Sequence, residues 1–173
     1  MKKLLLIIVL YTNTSFAQQM IRSGTVYSEH PYIGVVKRFA SEYWQVNPAD
    51  MAQLYAADAQ FFGLAGVPAD TPRLSHGLPP KGSSLNEAIK SWQQMTDNWQ
   101  NIKMTLAAPP QGYGYNDSPD FVVESHWIIG LTNKNTKKNA YIDLLLIDEF
   151  NDAGKIAVER QYYDASPLLA AAK

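Results

Sequence analysis

The chain reads as an α+β domain, a curved antiparallel sheet with helices segregated to one of its faces. Three observations point there. Two stretches of the first hundred residues repeat apolar side chains at helical spacing, the last third carries strand-length runs divided by short turns, and no repeat or heptad pattern competes.

Pro31 suits the first turn of a helix, and Val35, Val36, Phe39, Tyr43 and Val46 follow at helical spacing. The residue before a proline disfavours the α region, so Pro48 ends that helix at Asn47. Pro48 then opens a second helix over residues 48–59, with Met51, Leu54 and Tyr55 inward, before a short strand over 60–62. Residues 63–82 are rich in proline and glycine and lack periodicity, the signature of a long loop or lid. Ser83 or Ser84 caps a third helix that runs to Asn98, and Glu87 suits a capping box with Ser84. Its apolar face is Leu85, Ala88, Ile89, Trp92 and Met95. Strands are expected over 102–106, 121–131, 140–150 and 155–163. Lys134 to Lys138 form a hairpin tip, Asn151 to Gly154 a short turn, and residues 167–173 a frayed tail.

Residues 1–17 have the three parts of a cleavable export signal: Lys2 and Lys3, the apolar run Leu4 to Tyr11, and small residues at Ser15 and Ala17. The run is about half the roughly 20 residues of a membrane span, so no stable membrane anchor is expected after cleavage. Residues 18–173 then form a single periplasmic or secreted domain. The absence of cysteine excludes disulfides and thiolate metal sites. Mixed charges of net −1 and no basic stripe argue against nucleic acid. The three histidines have no metal-ligand spacing, and no glycine-rich phosphate loop is present, so neither metal nor cofactor is expected.

Side chains two apart on a strand share a face. Glu159, Gln161 and Tyr163 therefore line up on the last strand, and Asp148 on the preceding strand can join them. A carboxyl in an apolar pocket titrates high and can act as an acid; at a rim, Glu159 would instead pair with a Lys or Arg. On the long strand before, either Glu124 and His126 or Ser125 and Trp127 face inward, depending on a one-residue register. Glu159 and His126 are thus the candidate acid/base groups. His30 and His76 stand alone in segments expected to be exposed. Tyr141, Leu145 and Ile147 oppose Ile142, Leu144 and Leu146, so both faces of that strand are apolar and the outer one needs a cover. A homodimer through the open sheet face would supply it.

The ordered words VVKRFASEYW, NPADMAQLYAADAQF, GSSLNEAIKSWQQM and LLLIDEFNDAGKIAVERQYYD resemble the nuclear-transport-factor-two-like superfamily. That group includes ketosteroid isomerase, scytalone dehydratase, limonene epoxide hydrolase and SnoaL-like polyketide cyclases. The resemblance spans nearly all of residues 31–164 except the long loop. It implies a cystatin-like cone, an α+β barrel whose sheet wraps a long helix around an apolar pocket. By that likeness Phe39, Tyr43, Phe61, Trp127, Leu146, Gln161 and Tyr163 line the pocket. The known sites of the superfamily are not intact, however. The isomerase's tyrosine, base and protonated aspartate fall on Phe39, Gly63 and Leu146. A dehydratase's aspartate falls on Asn47, although His126 can match its histidine. The epoxide hydrolase's final-strand aspartate falls on Gln161, and its arginine on His126 or Ser125. The expected function is binding of a small apolar or aromatic molecule. Acid/base catalysis at a non-standard site and a dimeric interaction module are the alternatives.

Overall fold

The computed structural model describes residues 24–39, 48–63, 82–115 and 120–173. The expected export signal, Tyr43, Asn47, His76 and residues 64–81 of the expected loop lie outside them.

The sheet is organised around two long strands, β6 (Phe121–Asn133) and β7 (Asn139–Phe150). They pair antiparallel without a register break from Phe121 opposite Phe150 to Thr132 opposite Asn139. Burial alternates strictly along both, which puts Val123, Ser125, Trp127 and Ile129 on the inner face with Ile142, Leu144, Leu146 and Asp148. The hairpin tip holds because Asn133 Oδ1 accepts the N–H groups of Asn135 and Thr136 at 2.9 and 3.0 Å. The far edge of β7 pairs antiparallel with β8 (Ile156–Tyr163). A register shift near Glu149 and Phe150 lets Ile156 and Glu159, an odd number of residues apart, both point inward.

One expectation about the sheet changes: it is mixed, because β2 (Tyr55–Gly63) runs parallel to β8. The predicted second helix is correspondingly short. Pro48–Met51 is helical, Ala52–Leu54 is one 3₁₀ turn, and Tyr55 already begins the strand. An alanine-rich stretch favours helix intrinsically, but pairing with β8 and burial of Tyr55, Ala59 and Phe61 outweigh that preference. The other edge of β6 is shared by β5 (Gln111–Tyr115), which pairs with its first half, and β4 (Trp99–Leu106), which pairs with its second. A strand not expected from the sequence, β1 (Gly24–Tyr27), adds to β5, while β3 (Ser83–Ser84) adds to β2.

Helix α1 (Pro31–Arg38) is capped by His30, whose Nδ1 accepts the Tyr32 N–H at 3.2 Å. His30 is thus half-buried rather than exposed, and its ring stacks on Phe121 with 3.9 Å between centroids. Helix α3 (Leu85–Asn98) starts on the expected capping box: Glu87 N–H donates to Ser84 Oγ and Ser84 N–H to Glu87 Oε2. Its buried residues Ala88 and Trp92 face the sheet. The predicted frayed tail is instead a short helix, α4 (Ser166–Ala171), led in by Asp164, which accepts the Ser166 N–H at 2.9 Å. The Thr136 hydroxyl ties its end down by donating to the Ala171 carbonyl.

Gly112 on β5 shows how tightly the helix end is packed. A Cβ there would lie 2.6 Å from Phe121 Cζ. That ring cannot yield, since His30, Tyr32 and Tyr27 surround it. Gly112→Ala should therefore cost about 1–3 kcal/mol, seen as a lower urea midpoint with an unchanged slope. Parent-like stability would mean the aromatic cluster is loose.

Candidate functional site

A cavity of about 210 Å³ lies between α3 and the inner face of β6, β7 and β8. Its walls are mostly apolar: Phe39 past the end of α1, Phe61 on β2, Trp92 and Met95 on α3, and Ile129, Ile142, Leu144 and Leu146 on the sheet. Its polar groups come chiefly from β8, where Glu159, Gln161 and Tyr163 point in, and from the start of α3, where Glu87 and Ser91 border it. Trp92 and Phe61 meet edge to face, and both lean on Tyr55.

Glu159 is the chemical centre of this site. It is 2% exposed and lies directly across from Asp148, which is also 2% exposed. Tyr55 donates its hydroxyl to Glu159 Oε2 at 2.5 Å, and Gln161 Nε2 donates to Oε1 at 2.5 Å. The two carboxyls also hydrogen-bond each other, which requires a proton between them. That proton belongs to Asp148. Burial, and then the charge of Glu159, push Asp148 well above the usual carboxylate range. Burial raises Glu159 as well, but the donors Gln161, Tyr55 and Asp148 pull it back. Of the two, Glu159 is the one whose ionised form its surroundings favour. Burial, with the neighbouring carboxyls Glu159 and Asp148, also pushes the Tyr55 hydroxyl well up, so it stays a donor. Asp148 Oδ1 is left as a buried polar atom without a hydrogen-bond partner.

Of the residues singled out from the sequence, Phe39, Phe61, Leu146, Glu159, Gln161 and Tyr163 border this one cavity. Two expected residues do not. His126 points to the outer face, half-exposed, with Nε2 3.5 Å from Asp143 Oδ1, because the unbroken pairing with β7 directs the odd-numbered residues of β6 inward. It is no acid/base group of this cavity. Trp127 does face inward but is packed into the core beside the cavity, its indole N–H held by Ser125 Oγ at 2.8 Å. Tyr55 was missed as a site residue because a helix was read there; its period-two relation to Phe61 and Ala59 emerges only once the segment is a strand. The helix residues Glu87 and Ser91 carried no signal of their own. Among the described residues no cluster of side chains could hold a metal ion, and no helix is long and apolar enough to cross a membrane.

Neither a protein-family profile nor a curated protein matches the sequence. Solved structures do. A Catenulispora acidiphila protein with a ketosteroid isomerase-like fold, determined in complex with trimethylamine, superposes at a TM-score of 0.57 with 17% identity, over 83% of this chain and 93% of that one. A nuclear-transport-factor-two-like protein of Burkholderia thailandensis does so at 0.55 and 17%, over 82% and 97%. The fold is the nuclear-transport-factor-two-like cone. The pinacolase BvnE of Penicillium brevicompactum has it too, at a TM-score of 0.58 and 13% identity, over 82% of this chain and 91% of that one. Within the cone, Phe39, Gly63, Leu146 and Gln161 all border the cavity. The positions at which relatives were expected to hold a tyrosine, two aspartates and a third aspartate are therefore pocket positions here, without those groups. The carboxyls of this chain sit elsewhere, at Asp148 and Glu159.

The direction of both shifts fixes a pH dependence. Unfolded, both carboxyls would ionise near pH 4; folded, they hold protons to higher pH. The native state then binds more protons than the unfolded chain above about pH 4, so the pair's contribution to stability falls as pH rises through its folded titration. Asp148→Asn keeps the shape and a donor for Glu159 while removing that proton. At pH 8 it should be more stable than the parent by about 1–3 kcal/mol, with the advantage shrinking toward pH 5. Thermal unfolding across that range checks this, and a variant with a parent-like slope would place the proton elsewhere.

Proposed function

We propose that this chain is an exported protein that holds one small, largely apolar molecule inside its cone. The observation that supports this most is the cavity itself: aromatic and aliphatic walls with a few converging polar groups at one end, the usual makeup of a small-molecule site. Its volume is below the roughly 300–1,000 Å³ of drug-sized sites and above the ~150 Å³ apolar cavity known to accept benzene. One ring with a short substituent is therefore the appropriate size. Among proteins of the same fold, the Catenulispora neighbour's complex with trimethylamine is consistent with such a scale.

A second reading rests on Glu159. A cavity carboxyl with a raised pKa, backed by a protonated Asp148, is suited to moving a proton on a bound substrate. Enzymatic lyase, isomerase or hydrolase chemistry would then run through Glu159 rather than through the superfamily's usual positions. The pinacolase shows that an enzyme can be built on this fold. The outer sheet face, with Tyr141 exposed beside half-buried Leu145 and Ile147, fits a homodimer as its cover.

Filling the cavity separates these readings from a purely structural role. Ala88→Leu, pointing in from α3, should lower affinity for toluene and benzyl alcohol by at least about tenfold, at a stability cost of about 1–3 kcal/mol. Calorimetric titration checks it; unchanged binding would move the ligand site away from the cavity. Export is tested separately: protein recovered from its producing cell should begin at Gln18 by N-terminal mass analysis, and an intact Met1 would refute it.

A further inference from the structure

Glu159 in its ionised form brings a negative charge to the cavity, and among the described residues no cation lies beside it. Its three donors, Tyr55, Gln161 and Asp148, are all neutral, so they spread the charge without cancelling it. The neighbouring Arg160 cannot help. It points to the other face of β8, where it bonds Glu149 and sits 5.9 Å from the Phe62 ring centroid. Among the described residues no lysine, arginine or histidine borders the cavity, and its other charged wall residue is again an acid, Glu87. An ionised group held away from water without a counter-charge is unfavourable, and something must offset it.

The remaining features fit one kind of occupant. A carboxylate offers about four acceptor sites, and three donors leave one for a ligand. Phe61 and Trp92 present aromatic rings in the same cavity, and ring faces attract cations as well as apolar bodies. On the reading of the cavity as a ligand pocket, the geometry points to a small organic amine, bound as its ammonium ion against Glu159 with an apolar body of about one ring against Phe61 and Trp92. The ammonium supplies the positive charge that the described wall residues lack.

Proton competition follows. The titratable groups around Glu159 are Asp148 from β7, Tyr55 from β2 and Tyr163 on its own strand, with Glu87 of α3 in the same cavity. Both tyrosines are pushed up by burial and stay neutral, which leaves the carboxyls to respond. On acidification Asp148 and Glu159 together take up a second proton, which occupies the place of the ammonium. Amine binding should therefore release a proton in mildly acidic solution and weaken as pH falls, whereas a neutral ligand should do neither.

The test titrates the intact protein with benzylamine, benzyl alcohol and toluene near pH 7.5, where the amine is protonated, by calorimetry in two buffers of different ionisation enthalpy, and repeats it near pH 5. The expected result is benzylamine at least about tenfold tighter than benzyl alcohol near neutral pH, the scale of one charge-assisted hydrogen bond. Proton release at pH 5 should accompany the amine alone. In Glu159→Gln the amine should lose that advantage and fall to the affinity of the alcohol. Alcohol binding as tight as amine binding, or a preference that survives in Glu159→Gln, overturns the amine assignment and leaves the pocket reading standing. Binding of none of the three overturns both. Should Glu159→Gln not fold, the parent's proton release decides: an amine that binds at pH 5 without releasing protons refutes the proposal.

Discussion

The twelve-rung pairing of β6 with β7 is the constraint on which the rest of this structure depends. Because strand side chains alternate, an unbroken ladder decides at once which face every residue of both strands presents. It sends Ser125 and Trp127 into the core and His126 to the surface. It also places Asp148 inside, where β8 can lay Glu159 against it. Had β6 slipped by one residue against β7, Glu124 and His126 would take the inner face in place of Ser125 and Trp127.

A second constraint grows out of the first. Two carboxyls brought face to face out of water cannot both be ionised. Among the described residues the answer is a shared proton, the Tyr55 hydroxyl and the Gln161 amide, with no cation beside the pair. Neutral donors of this kind stabilise a charge without cancelling it. Such a group does not earn its place through stability alone, which is why it is the natural place to look for recognition or chemistry.

Much of this was legible in the sequence. Strand alternation exposed the line of Glu159, Gln161 and Tyr163 and the possible company of Asp148, and helical spacing exposed the α3 face with its capping box. What stayed hidden has physical reasons. Residues 55–59 are alanine-rich, so local preference read helix where pairing with β8 imposes strand. Periodicity could not choose between His126 and Trp127 as inward residues, because the flanking apolar residues permit either face; only the partner strand settles it. The parallel contact of β2 with β8 joins segments about a hundred residues apart and leaves no local trace. The tail over residues 167–173 reads as frayed because its docking depends on Thr136, a residue in a distant hairpin tip.

That same parallel contact has a bearing on the order of assembly. The Tyr55 to Glu159 hydrogen bond closes a separation of 104 residues, so it can form only after nearly the whole chain is present. Local units such as the β6–β7 hairpin and α3 close short loops and form early, whereas contacts of long sequence separation come late. The cavity wall built by β2 and β8 is therefore expected to become native after those local units. Until β8 seats beside β2, Glu159 remains hydrated and both edges stay open to other chains.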